Sequence, residues 1–208
     1  GGRVGSFVER RLGGPVIRLI GPVTDADVGR STVDRLMRKA GMSVYPVVVV
    51  DKWRNGYTST VNRGLAYAMR WGTDACVCVD DAAPQTDDWL LKLQTGLHLS
   101  PQVWTVGPSG PCRTPPQNTG KPGDSRPAQL VSHVAGFCML IRYQALERVG
   151  FLRSDLEHYG SDVDYQWRAR QLGGRSVWIP SVYVDHGLHA PRQPDWDRDN
   201  ERFNNIWR

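Results

Sequence analysis

Ala75-Cys76-Val77-Cys78-Val79-Asp80-Asp81 is a run of five apolar residues that ends on two carboxylates. A short uninterrupted run of this kind, bounded by acids and then Pro84, reads as a β-strand. Working outward, Pro46-Val47-Val48-Val49-Val50 is a second run. Its β-branched residues are of the kind buried on both faces of a parallel sheet, and it ends at Asp51. Val16-Ile17-Arg18-Leu19-Ile20 is the strand before it and stops at Gly21-Pro22. The intervening segments have helical periodicity. Val33, Leu36, Met37 and Ala40 follow a cap at Asp27 or Ser31 and run to Gly41; a second helix covers 62–71; Thr86-Asp87-Asp88 caps a third through Leu97. Strand and helix therefore alternate three times, which predicts an α/β fold with a parallel, doubly wound front half. Ligands in such sheets bind at the carboxyl ends of the strands, where Asp51 and Asp80-Asp81 stand. Acidic residues at those points also cap the helices that follow, so position alone leaves both roles open.

The second half is less regular. Val103 to Val106 is a short strand, and Gly107 to Pro127 is a long loop rich in Gly and Pro that carries Arg113, Lys121 and Arg126. Ser132 to Arg142 is strand-like and broken by Gly136, and Tyr143 to Val149 is helical. A further helix, Asp162 to Leu172, ends at Gly173-Gly174. Arg175 to Ile179 is a strand closed by Pro180, with another short one at Val182 to Val184 before Asp185-His186. There is no internal repeat.

The 208 residues fit one domain, and 40% hydrophobic with 23% charged residues is ordinary for a globular protein. Eight tryptophans exceed common packing needs, and some are expected to line a pocket. No apolar run approaches the roughly 20 residues of a transmembrane helix. The start, Gly1-Gly2-Arg3-Val4-Gly5, lacks Met and an apolar stretch and reads as a trimmed end rather than a signal peptide. Cys76, Cys78, Cys112 and Cys138 contain no CxxC pair, and Cys76 and Cys78 point the same way along one strand. Buried free thiols are expected, which favours a reducing cytoplasm. The net charge of +5 implies attraction to polyanions or to anionic small molecules such as nucleotide diphosphates. Arg35, Arg38 and Lys39 share a helix face and read as a solvated surface.

Several motifs stand in a telling order. Val49-Val50-Asp51 is followed by Asn62-Arg63-Gly64, then by Val79-Asp80-Asp81-Ala82-Ala83-Pro84 with Trp89-Leu90. Next come Ala135-Gly136-Phe137-Cys138-Met139-Leu140-Ile141-Arg142 and Val149-Gly150-Phe151-Leu152. Asp162-x-Asp164 with Arg168 and Gly173 follows, and Val184-Asp185-His186 closes the series. From Val16 to Trp207 this order resembles the family 2 glycosyltransferases, which have the GT-A fold: a single domain with a mixed, mainly parallel sheet flanked by helices.

The resemblance implies an inverting, metal-dependent transferase that moves a sugar from a UDP-, GDP- or TDP-linked donor to a hydroxyl acceptor. Residues 16–100 would form the nucleotide-sugar half, 101–190 the acceptor and catalytic half, and 191–208 a C-terminal segment whose aromatic pair folds back on the domain, with Trp196, Phe203, Ile206 and Trp207 its apolar members. Asp81 matches the metal-binding carboxylate of the family's Asp-x-Asp motif, His186 its late histidine ligand, and His189 is a nearby competitor. Asp80 would lie near the ribose or the sugar, and Asp51 would contact the base or ribose beside Pro22 and Thr24. Asn62 and Arg63 match the motif that opens the second helix, and Lys52, Arg54 and Arg63 are cations near the nucleotide end. Asp162 matches the catalytic base, which takes the acceptor hydroxyl proton. Val79 and Ser161 depart from the family's acidic residues at their positions. The metal would be Mn²⁺ or Mg²⁺, since hard oxygen ligands suit such ions and a leaving diphosphate needs charge neutralised.

Two other readings compete. Nucleotidyl transfer to a sugar phosphate wants a Gly-rich basic loop after the first strand, and Gly21-Pro22-Val23-Thr24-Asp25-Ala26-Asp27 is acidic instead. A basic module that binds nucleic acid or glycan without catalysis gives no reason for Asp81, Asp162 and His186 to occur together. The acceptor is open between saccharide, protein and hydroxyl-modified DNA base, and the sequence leaves the oligomeric state open.

Overall fold

The computed structural model describes residues 16–187 and 193–208; Gly1 to Pro15 and His189 lie outside them. The strands are β1 (Ile17–Val23), β2 (Val44–Val50), β3 (Asp74–Cys78), β4 (Ala83–Pro84), β5 (Val103–Ser109), β6 (Gln129–Val131), β7 (Cys138–Ile141) and β8 (Arg175–Asp185). The helices are α1 (Ala26–Met37), α2 (Tyr57–Arg70), α3 (Trp89–Leu97), α4 (Tyr143–Val149), α5 (Ser161–Gln171) and α6 (Gln193–Ile206). The sheet order is β2-β1-β3-β7-β5-β8-β4, with β6 on β8. β1, β2, β3, β5 and β8 run one way, and β4, β6 and β7 run against them. The sheet is thus the expected mixed, mainly parallel one.

Period-two alternation along β3 assigns its side chains to two cores. Cys76 and Cys78 pack with Leu36 of α1 and with Trp89, Leu90 and Leu93 of α3, whereas Ala75 and Val77 pack with Val61 and Leu65 of α2 and Ala145 and Leu146 of α4. Both faces are covered, as β-strands at the centre of an α/β sheet require. The α2 helix lies close on β1 because Gly64 faces Ile20; a Cβ there would stand 2.4 Å from Ile20 Cγ2.

Several sequence expectations shift. The valine run is not buried on both faces: β2 is the edge strand, and Tyr45 and Val48 are exposed while Val49 is buried. β1 continues through Gly21-Pro22 to Val23, because its pairing with β3 ends at Ile20 and Pro22 therefore meets only β2, where a missing N–H is tolerated. α1 is capped by Asp25, whose carboxylate accepts the Asp27 N–H at 2.7 Å, rather than by Asp27 or Ser31. α2 starts five residues before Asn62, so the Asn-x-Gly motif lies within the helix and does not open it. β8 is one strand across Pro180, which sits at the register shift between the Pro108 and Ser109 pairings, a bulge position that proline occupies without breaking a ladder bond.

Candidate active site

The carboxyl end of β3 is held in place by α1. Thr32 Oγ1 donates to the Asp80 carbonyl at 2.7 Å, Arg35 Nε donates to the Ala82 carbonyl at 2.8 Å, and Arg35 Nη2 also donates to Asp80 O. Arg35 is therefore not a solvated surface residue but the anchor of the turn that carries Asp80 and Asp81. Lys39, from the same face, pairs with Asp87 at 3.0 Å.

At the end of β8, His186 stacks on Phe137, with ring centroids 4.5 Å apart, and its Nδ1 lies 3.9 Å from Asp81 Oδ1. The other Asp81 oxygen accepts the Gly187 N–H at 2.7 Å. The stacked imidazole and the bonded carboxylate are both held in orientation. An octahedral Mg²⁺-like ion holds its ligands at about 2.1 Å and so puts adjacent donors roughly 3.0 Å apart, which means Asp81 and His186 close by about 1 Å to share one. The donor types, a carboxylate oxygen and an imidazole nitrogen, suit a divalent cation, and two protein ligands leave positions for phosphate oxygens and water.

Asp162 occupies the first turn of α5 beside Gly136, whose N–H donates to Asp162 Oδ2 at 2.7 Å. The carbonyl of the same residue accepts a 2.8 Å bond from the Tyr57 hydroxyl. Burial, reinforced by the Asp162 charge, raises the Tyr57 pKa far above its ordinary value, so Tyr57 acts as a fixed donor and not as an acid. Gln166, fully buried, accepts the Val134 N–H at 2.8 Å and donates to the carbonyls of Val134 and Asp162 at 2.7 and 3.0 Å. Gln117 accepts the Ala135 N–H at 2.7 Å and donates to Pro108 O at the same distance, which fastens the long loop to the site.

Asp80, Asp81, Asp162 and His186 line one cavity of about 650 Å³, together with Arg113, Phe137, Tyr159, Trp196 and Asp199. A neighbouring cavity is lined by Thr24, Asp51, Lys52, Arg54, Gly56 and His158, and His158 borders both. The Asp51 carboxylate accepts the N–H groups of Asn55 and Gly56 at 2.8 and 3.0 Å, closing the turn into α2 beneath this second cavity. Gly56 has φ +89°, and a Cβ on it would lie 3.1 Å from His158 Cε1, so glycine is required by both backbone and space.

Three sequence-predicted residues stand elsewhere. The Asn62 side chain is spent on both backbone groups of Leu152, at 2.9 Å each, and clamps α2 to the chain after α4. Pro22 is buried within β1, and Arg63 donates to Val50 O at 3.2 Å from an exposed position; none of the three lines either cavity.

Sequence reasoning missed Arg35, Tyr57, Gln117, Gln166, His158 and Asp199. The buried Asp199 carboxylate of α6 accepts the N–H groups of His158 and Tyr159 at 2.8 and 3.0 Å, fixing the loop before α5. Trp207 donates to Asp164 at 3.1 Å and its ring meets Trp167, so the aromatic C-terminal segment does fold back on the domain.

No family model and no curated protein matches the sequence. Solved structures do resemble the fold. GalNAc-T7, crystallised with UDP, GalNAc and Mn²⁺, superposes with a TM-score of 0.63 at 11% identity over 91% of this chain and 48% of its own. The mannosyltransferase PcManGT from Pyrobaculum calidifontis, in complex with GDP-Man and Mn²⁺, gives 0.59 at 18% identity over 86% of this chain and 59% of its own. The catalytic domain of Drosophila β1,4-galactosyltransferase 7, with xylobiose, gives 0.55 at 18% identity over 85% and 72%. The chain spans about half the length of GalNAc-T7. At these identities the likeness establishes architecture: the chain has the GT-A type fold of known glycosyltransferases.

Proposed function

We propose that this protein is an inverting, metal-dependent glycosyltransferase that moves a hexosyl group from a nucleoside-diphosphate sugar to a hydroxyl acceptor. The observation that carries the reading is the convergence of Asp81, His186 and Asp162 on one cavity beside a second one lined by Asp51 and Thr24. The nucleoside belongs in the second cavity, where Asp51 meets base or ribose and Lys52 and Arg54 supply positive charge. The sugar and acceptor belong in the first. Residues 16–100 thus supply most of the donor contacts, the half that begins at residue 101 supplies the acceptor side together with His158 and the metal ligand His186, and the C-terminal segment walls the acceptor side. Structural neighbours solved with Mn²⁺ and UDP or with Mn²⁺ and GDP-Man support the metal and nucleotide-sugar part of this reading.

A divalent ion on Asp81 and His186, Mn²⁺ or Mg²⁺, would neutralise charge developing on the leaving diphosphate. The chain's own residues orient the other reactants. Asp162 Oδ2 is committed to Gly136, so Oδ1 takes the acceptor proton as the acceptor oxygen bonds to the anomeric carbon. The bond from that carbon to the diphosphate oxygen breaks, and its electron pair leaves with the nucleoside diphosphate. Attack from the Asp162 side, opposite the leaving group, inverts the centre. Among the charged residues of this cavity Asp80, Asp81, Asp162 and Asp199 face one arginine, Arg113, which favours an uncharged hydroxyl acceptor over a polyanion such as modified DNA. The β1–α1 connection is capped by Asp25 and has no basic glycine-rich loop, which favours glycosyl over nucleotidyl transfer.

The test is nucleoside diphosphate release from UDP-, GDP- and TDP-sugars with Mn²⁺, Mg²⁺ or chelator. Turnover of one donor that needs metal and is lost in Asp81→Ala is expected. Absence of turnover together with absence of metal-dependent binding for every donor would refute the proposal.

A further inference from the structure

Cys76 and Cys78 point into the same core from alternate positions of β3, and Cys138 faces Cys78 directly across the antiparallel β3–β7 ladder. Cys76 Sγ is 3.8 Å from Cys78 Sγ, which is 3.6 Å from Cys138 Sγ, and all three sulfurs lie within 4.8 Å of one another. All three residues have 0% exposure. They lie in the core that also holds Phe137, on whose ring His186 stacks, while the carboxylate and imidazole pair opens to the cavity beyond the end of β3.

We propose that this trithiol is a second metal site, specific for a soft d¹⁰ cation of the copper(I) class. Three arguments converge. A metal–sulfur bond of about 2.3 Å puts the sulfurs of a three-coordinate ion roughly 4.0 Å apart, so the 3.8 and 3.6 Å spacings need to open by only a few tenths of an ångström to accept one. Sulfur donors select soft ions over Mg²⁺ or Mn²⁺, whose oxygen-loving chemistry belongs to Asp81. The cluster holds three donors and no fourth His, Cys, Asp or Glu among the described residues, which suits an ion satisfied by three sulfurs better than zinc, usually bound by four ligands. Binding replaces thiol protons, which pass to solvent as thiolates form. Because the cluster is sealed by Leu36, Trp89 and Leu93, the ion enters during folding, when the strands are still apart. Once in place it cross-links β3 to β7, the two strands that deliver Asp80-Asp81 and Gly136-Phe137 to the site.

The test is refolding of the reduced, anaerobic full chain with copper(I), followed by desalting, copper analysis and X-ray absorption of the bound metal. One copper per chain with a shell of three sulfurs is expected for the parent chain. Asp81→Ala and Cys112→Ser should retain it, and Cys138→Ala or Cys76→Ala, confirmed folded by circular dichroism, should lose it. Failure of the parent to retain copper, a nitrogen or oxygen shell, or retention by both core variants would overturn the proposal. Should neither core variant fold, the sulfur shell of the parent decides. The outcome is independent of glycosyl transfer, since no donor or acceptor is present.

Discussion

Gly136 joins two sides of the candidate site. Its N–H holds Asp162 and its carbonyl is held by Tyr57, so the proposed base stands where this residue puts it. A Cβ at Gly136 would lie 3.0 Å from Asp162 Oδ2 and 3.2 Å from its Cγ. Gly136→Ala is therefore expected to push the carboxylate by a few tenths of an ångström while the core stays packed. Misplacement of a reacting group by as much as 1 Å costs about 10²-fold, and a drop of roughly tenfold or more in kcat with unchanged donor affinity is expected here. Steady-state kinetics against donor binding checks this, and an unchanged kcat would contradict the positioning role. That Asp81 and Asp162 line one cavity agrees with what the family resemblance implied, whereas their places at strand and helix ends alone left capping open as an equal reading. Arg35 was not legible in the sequence: on a helix face it looks solvated, and the carbonyl that it grips belongs to Asp80, 45 residues away. Asn62 misled for the converse reason, since its motif was read as local while its partner is Leu152.

Among the elements, α6 carries the most consequence per residue. Asp199 is buried, and burial alone would raise its pKa. The N–H groups of His158 and Tyr159 and the Arg198 side chain more than offset this and hold the pKa below its ordinary value. A depressed folded-state pKa contributes stability that is fully present above the unfolded value of about 3.9 and is lost as pH falls through the folded value. Asp199→Asn is thus expected to lower stability at neutral pH and to narrow its gap to the parent chain below about pH 4. Denaturant unfolding across that range provides the check; a gap independent of pH would contradict the assignment. Strand and helix types were readable from period and punctuation. The exceptions have physical causes: Pro22 and Pro180 looked like strand stops but occupy places where a ladder bond is already missing. The valine run looked central because composition reports hydrophobicity, and no local signal says that β2 has a neighbour on one side only.

At the scale of the molecule, one sheet brings together residues more than 100 positions apart, with Asp81 in the turn after β3 bonded to Gly187 after β8. The order of the motifs foretold this architecture, but contacts such as Tyr57 to Gly136 needed the assembled sheet, since nothing near Tyr57 in sequence announces a target 79 residues on. In the proposed function the two key carboxylates have separate tasks, donor and metal for Asp81 and proton removal for Asp162. The direct test is metal-dependent donor binding by calorimetry beside turnover for the parent, Asp81→Ala and Asp162→Asn. Asp162→Asn should bind the donor with the affinity of the parent and lose turnover by about 10²–10⁴-fold, whereas Asp81→Ala should lose metal-dependent binding and turnover together. Full turnover in Asp162→Asn, or full metal-dependent binding in Asp81→Ala, would contradict the account.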